Sequence, residues 1–167
     1  MLSQLATHRP FFIWSISICL RAFSGLPMIE QQTDELVEHI QWHNQHIATV
    51  VRSEFCPQKT TFVTPDFYYQ QLGFVVHPRG GSVCSHVHLP LQRHLVGTPE
   101  TLIVLRGRAE IDLFGMDRTF IGTWQLRPRD IILLVSGGHG LRFSEDTTLL
   151  EIKQGPYTGL TEKEQFE

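Results

Sequence analysis

The chain has 167 residues, of which 41% are hydrophobic and 19% are charged, and its formal net charge at pH 7 is −3. This length and composition are typical of a single soluble globular domain, and the weak negative charge argues against nucleic acid or an anionic membrane as a partner. The three cysteines, Cys19, Cys56 and Cys84, are too scattered for a disulfide framework or a cysteine-rich zinc site.

The first segment with a clear character is the apolar stretch FFIWSISICL, residues 11–20, which is too short to span a bilayer. Two interpretations of residues 1–27 remain open. Arg9 before the stretch and the small residues AFSG after it are typical of a secretion signal, which would place the protein outside the cytoplasm. Met28, just before the first well-patterned segment, instead indicates an upstream extension of a cytoplasmic protein. In both cases we expect the fold to reside in one domain, residues 28–167.

An amphipathic N-terminal helix is predicted from Thr33, which is a suitable N-cap, and Pro57 ends any continuation. The residues at the spacing of one helix face are Leu36, Ile40, His43, Ile47, Val50 and Val51. His39, His43 and His46 share one side of this helix. Two of them are spaced to chelate a metal, but we favour packing or solvation at the helix edge for all three.

Beyond Pro57 the chain is predicted to be all-β. Short runs rich in β-branched and aromatic residues alternate with turn residues: TTFVT, YYQQLGFVVH, SVCSHVH, TLIVLRG, RAEIDLF, RTFIGTWQL, DIILLV, HGLRF and TTLLEIKQ. Many short strands without helices between them favour a sandwich or a barrel, here with its core at about residues 61–154. In AEIDLF the alternation places Ala109, Ile111 and Leu113 inside the core.

Two histidines lie one residue apart in the run SVCSHVH. Residues i and i+2 of a strand lie on one face, so His86 and His88 would point the same way, either as a pair of surface histidines on a half-exposed strand or as half of a metal site. Cys84 would share their face, where we expect a small buried hydrophobe. His77, on the preceding predicted strand, is either a partner of a metal-binding histidine or a surface residue.

The residues around this pair resemble the first motif of the cupin superfamily, G-x5-H-x-H-x3,4-E-x6-G. Gly80, His86 and His88 match its first half, and Glu100 with Gly107 matches its second half. Between the halves the chain has LPLQRHLVGTP, which is longer than the family's three or four residues. We interpret this stretch as an inserted loop at the rim of the barrel, and it carries Arg93 and His94.

A second stretch, RDIILLVSGGHGLRF, is similar to the second cupin motif, G-x5-P-x-G-x2-H-x3-N. Arg129 stands at the glycine position and Val135 at the proline position, whereas Gly137 fits the pattern. His139 arrives one residue early, and the final asparagine is absent. The resemblance covers residues 62–154, and the tail EIKQGPYTGLTEKEQF resembles that of small single-domain bacterial cupins.

The resemblance implies a cupin double-stranded β-helix, or jelly-roll barrel, in addition to the predicted N-terminal helix. It also implies a site that gathers His86, His88, Glu100 and His139. Imidazoles with one carboxylate suit a divalent transition metal such as Fe, Mn, Ni, Zn or Cu. Arg93, His94 and His77 are the further candidates for contact with a substrate or for an alternative ligand. Arg142, Glu151 and Lys153 are expected to be solvated.

Three functions remain open, because this fold supports many chemistries. The first is a metal-dependent enzyme of the dioxygenase or isomerase type, in which Arg93 or His94 positions a small organic substrate. The second is a non-catalytic metal or small-molecule binding module, such as a sensor. The third is a metal-free, sugar-isomerase-like cupin that uses histidines as acid and base. A homodimer is expected in each case, because the predicted helix covers only part of the apolar outer face.

Overall fold

Antiparallel β-sheet is the main structure of the described residues. The computed structural model describes residues 36–157 and 159–166, which lie within one folded unit, residues 32–167. The elements of the described residues are strands β1 (Val37–Trp42), β2 (Gln45–Val51), β3 (Thr61–Phe62), β4 (Gly73–Phe74), β5 (Glu100–Arg106), β6 (Ala109–Phe114), β7 (Phe120–Leu126), β8 (Ile131–Leu134), β9 (Gly138–Phe143) and β10 (Thr148–Lys153), and a 3-10 helix (Gly159–Glu162). The predicted all-β class is confirmed. The expectations for residues 1–27 and for a cap at Thr33 lie outside the described residues.

Two sheets enclose the hydrophobic core. The larger sheet has the strand order β1-β2-β8-β5-β10, the smaller one has the order β7-β6-β9, and β3 pairs with β4 in a separate ribbon. Every pairing is antiparallel. The larger sheet contributes Ile47, Val50, Leu102 and Ile132 to the core, and the smaller sheet contributes Ala109, Ile111, Leu113 and Leu126. The inward alternation predicted for AEIDLF is therefore confirmed.

The predicted N-terminal helix is wrong over residues 36–51, which form the hairpin β1–β2. His43 and Asn44 are its two-residue turn, and both have a positive φ (48° and 61°), as the tight turn of a twisted hairpin requires. The sequence pattern was ambiguous because residues 47–51 are all buried. A strand that is covered on both faces gives a continuous apolar run, and such a run also fits a helical stripe.

The run SVCSHVH does not form the predicted strand. Residues 75–99 contain no strand, and every side chain from residue 77 to residue 98 is exposed. Cys84 is among them, so the expectation that it is buried is also wrong. A β-pattern gives a strand only where an edge is available for pairing, and no ladder to this segment exists in the part of the chain that the structure describes.

Two motif glycines occupy backbone positions that exclude a side chain. Gly107 has φ +80°, and an added Cβ would lie 2.5 Å from the Asp146 carbonyl oxygen. Gly137 has φ +75°, and its Cβ would lie 2.2 Å from the Phe114 carbonyl oxygen. Arg129, which stands at a glycine position of the second motif, also has a positive φ of 74°. The turns at Gly107 and Gly137 thus need glycine, because a Cβ would collide with the backbone there, whereas Arg129 adopts its positive φ with a side chain.

Candidate functional site

Glu100 and His139 meet between the two sheets at one end of the core. The register places Glu100 opposite Leu134 and His139 opposite Leu113, and both leucines belong to the core. Because directly paired residues point to the same face, the carboxylate and the imidazole both face inward. Glu100 Oε2 lies 3.3 Å from His139 Nε2, and the side chains are 7% and 33% exposed. The fold therefore brings together two of the four predicted metal ligands.

Lys153 is the third charged group at this place, and sequence reasoning had expected it to be solvated. It lies directly opposite Glu100 in the β5–β10 ladder and is only 19% exposed. Its Nζ is 3.5 Å from Glu100 Oε1 and 3.2 Å from Glu151 Oε1. Arg142 is instead exposed and pairs with Asp112 and Glu110 on the smaller sheet. The alternation of β10, combined with its register to β5, is the signal that would have identified Lys153.

The surroundings set the protonation of two of these groups. Burial of the imidazole lowers the pKa of His139, and the opposing effect of the Glu100 carboxylate is smaller. The hydrogen bond to Glu151 raises the pKa of Lys153, and the charge of Glu100 adds to the rise. At neutral pH the site therefore places a neutral imidazole and an ammonium group beside the Glu100 side chain. A neutral imidazole can act as a metal ligand or as a general base.

His86 and His88 form a second, separate pair. Their ring centroids lie 5.2 Å apart in the exposed segment, and His86 Nδ1 lies 3.0 Å from the Cys84 carbonyl oxygen. A carbonyl only accepts, so Nδ1 carries the hydrogen, and in the neutral ring Nε2 is then the nitrogen with a lone pair for a metal. Within residues 36–157 and 159–166 no group of three or more His, Cys, Asp or Glu is arranged to hold a metal ion. The predicted four-ligand set stays a prediction.

The remaining candidates make no hydrogen bond or ion pair with Glu100 or His139 among the described residues. Arg93 and His94 line a cavity of about 790 Å³ together with residues 66–69, and none of the four predicted metal ligands lines it. His77 lies in the same exposed segment as His86 and His88.

A hydrogen-bonded cluster on the larger sheet was not found by sequence reasoning. His46 Nε2 lies 2.8 Å from the Ala48 carbonyl oxygen and 2.9 Å from Thr49 Oγ1, and Thr49 Oγ1 lies 3.0 Å from His39 Nδ1. His46 Nδ1 contacts the Tyr68 hydroxyl. Burial lowers the pKa of His46 and raises the pKa of Tyr68, so both groups are held neutral. The register pair His39–Thr49 becomes visible only once the hairpin is known.

The chain was also compared with known proteins. No protein-family model, no curated protein and no solved structure matches it. Within the described ranges no helix is long and apolar enough to cross a membrane.

Proposed function

We propose that this chain is a small single-domain cupin that binds one divalent transition metal and acts on a small organic molecule, with dioxygenase or isomerase chemistry. The Glu100–His139 pair is the observation that carries this proposal. Metal–ligand bonds of about 2.0–2.2 Å place neighbouring donor atoms about 3.0–3.5 Å apart in octahedral or tetrahedral sites. The 3.3 Å between Oε2 and Nε2 matches that separation, so the two donors fit one ion.

His86 and His88 complete the ligand set in this proposal. Their spacing keeps the two imidazoles adjacent, and the contact of His86 Nδ1 with the Cys84 carbonyl leaves Nε2 for the metal. Binding would bring the exposed segment toward Glu100 and His139. A metal bound there supplies a Lewis acid or a redox centre. Around it, Glu100 and His139 hold their donor atoms between the sheets, and Lys153 orients the second carboxylate oxygen.

A metal-free acid–base function is the second candidate, and Lys153 favours it. The ammonium group supplies a positive counter-charge to Glu100 at 3.5 Å, without any bound ion. His139, with its lowered pKa, would then accept a proton from the substrate, and Glu100 would hold the imidazole in place. A non-catalytic binding or sensor module would use the same residues without turnover.

Elemental analysis separates these candidates. The protein would be produced in metal-rich medium without chelators, and its metal content would be measured by plasma mass spectrometry. We expect one transition metal per chain in the wild type, loss of the metal in the double variant His86→Ala/His88→Ala, and loss in Glu100→Gln. His77→Ala is the matched control, because it removes an exposed histidine of the same segment. Oxygen-uptake screening of the loaded protein then tests for turnover.

A wild type that contains no metal under these conditions overturns the metal proposal and leaves the acid–base function. Loss of the metal in His94→Ala, together with its retention in Glu100→Gln, would show that the rim loop supplies a ligand. Each variant would be checked by circular dichroism, so that a loss of fold is not taken for a loss of ligands.

A further inference from the structure

The cavity beside Tyr68 has the properties of a second ligand site. Its volume of about 790 Å³ lies within the range typical of small-molecule sites. Three consecutive aromatic residues, Phe67, Tyr68 and Tyr69, line it from one side, and the segment that carries Leu91 and Leu95 lines it from another. Glu100 and His139 do not line it, although Gln154, which follows Lys153 in the chain, does.

Tyr68 is a fixed part of this wall. The Ala48 carbonyl only accepts, so His46 Nε2 carries the hydrogen and Nδ1 accepts the hydrogen of the Tyr68 hydroxyl. The His46 and Tyr68 rings lie 5.4 Å apart, and Phe67 packs edge-on against Tyr68 at 5.1 Å. A wall that is held by contacts behind it needs little ordering when a ligand binds.

The other two aromatic rings are open to solvent. Phe67 is 76% exposed and Tyr69 is 54% exposed, although both are large apolar groups. The face of an aromatic ring carries partial negative charge and therefore attracts the partly positive C–H groups of a ligand. Two such rings beside the fixed Tyr68 favour a ligand that presents several C–H groups on one side, where they can contact the ring faces.

The polar residues of the cavity have donors and acceptors to spare. No hydrogen bond or ion pair to another described residue engages the side chains of Asp66, Arg93, His94 or Gln154. Gln71 uses its Nε2 on the carbonyls of Pro65 and Asp66, which leaves its Oε1 as an acceptor. Planar carboxylate, amide and guanidinium groups form paired hydrogen bonds to neighbouring hydroxyls. The formal charges of Asp66 and Arg93 cancel, which favours a neutral ligand.

We propose that this cavity binds a neutral saccharide, with Phe67 and Tyr69 against the sugar rings and Asp66, Gln71 and Arg93 on the hydroxyls. Neither Glu100 nor His139 lines this cavity. However, Leu91, Arg93 and His94 belong to the segment that the proposed metal site would move, so saccharide binding is measured on metal-free protein. Tyr68 is the positioned wall, and His46 is the residue that positions it.

Saturation-transfer NMR and calorimetry would test the proposal on the full chain. The probes are glucose, mannose, galactose, N-acetylglucosamine, maltose and lactose. We expect at least one of these saccharides to bind the wild type. The double variant Phe67→Ala/Tyr69→Ala should weaken that binding at least about tenfold, and Arg93→Ala should weaken it as well. Phe120→Ala is the matched control. Phe120 is 55% exposed, a fraction similar to the 54% of Tyr69, but it does not line the cavity. The Phe120→Ala protein should therefore bind the saccharide like the wild type.

Three outcomes would overturn the inference. The first is that no saccharide of the panel binds the wild type at about 10 mM, well above a weak Kd of about 1 mM. The second is binding that survives Phe67→Ala/Tyr69→Ala but is lost in His139→Ala, which moves the ligand to the Glu100–His139 site. The third is much tighter binding of glucuronate than of glucose, which would exclude a neutral ligand. Metal content is measured on the same cavity variants. Saccharide binding thus tests this inference, and metal content tests the proposed function, so that each can fail without the other.

Discussion

Glu100 and Lys153 lie opposite each other in the β5–β10 ladder, and the ammonium group is 3.5 Å from one oxygen of the nearly buried carboxylate. If Glu100 held a metal ion, its single negative charge would be shared between that ion and the Lys153 ammonium group. We therefore expect Lys153→Met to bind a probe metal such as Zn²⁺ more tightly than the wild type, because the competing positive charge is gone.

The same variant should be less stable than the wild type without metal, since Glu100 loses its counter-charge, and addition of Zn²⁺ should restore the urea midpoint. Lys153→Arg keeps the charge and is the control. Equal Zn²⁺ affinity in Lys153→Met and the wild type would show that the charge of Lys153 does not affect metal binding.

Asp130 should be a major determinant of stability. Its side chain is fully buried and accepts hydrogen bonds from the backbone N–H groups of Ser53 (2.9 Å) and Arg127 (3.0 Å) and from the Arg52 guanidinium (3.1 Å). Asp130→Ala leaves the two backbone N–H groups unpaired and removes the nearest carboxylate from Arg52, and we expect it to lower the free energy of unfolding by about 2–4 kcal/mol. Urea denaturation checks this value. Glu54→Ala, which removes an exposed partner of Arg127, should leave the midpoint unchanged.

The pH dependence of stability should report on His46. Burial lowers its pKa in the folded chain, so the unfolded chain takes up the proton first as the pH falls. The contribution of His46 to the free energy of unfolding is therefore present above the ordinary histidine pKa. It is lost as the pH falls from about 7 toward the lowered pKa of His46 in the folded chain. Urea midpoints at several pH values should fall less steeply for His46→Gln than for the wild type. The exposed His77 is the comparison, since His77→Gln should keep the wild-type slope; identical slopes for all three proteins would contradict this account.

We propose that two copies of the chain associate through β10. This strand ends the larger sheet, and its Leu150 and Ile152 side chains are exposed. Light scattering at micromolar concentration should give twice the chain mass of 19.2 kDa. Leu150→Lys/Ile152→Lys should give the monomer mass, whereas Val87→Lys, on an exposed residue elsewhere, should not change it. A monomeric wild type would rule out the dimer.

The strands from Glu100 to Lys153 could be predicted from the sequence. Some alternate apolar and polar residues and others are short apolar runs, and clear turn residues lie between them. The β1–β2 hairpin could not, since burial on both faces erases the period that separates a strand from a helix. Motif spacing predicted Glu100 and His139 as ligands of one metal, and the structure brings their side chains to 3.3 Å, while the ligand set itself stays a prediction. Lys153 was missed because its place depends on register with β5, and the link between His46 and Tyr68 depends on how distant segments pack.

The exposed segment, residues 77–98, is open to proteolysis. Arg79 and Arg93 lie within it, and a fully exposed segment without strand pairing is readily cut by a protease. Trypsin acting at these two arginines would release residues 80–93, and with them His86 and His88. The two remaining pieces would stay joined, because β2 before the cuts pairs with β8 after them. Limited digestion would thus produce a nicked protein that keeps the Glu100–His139 pair and its core, but has lost the histidine-bearing segment.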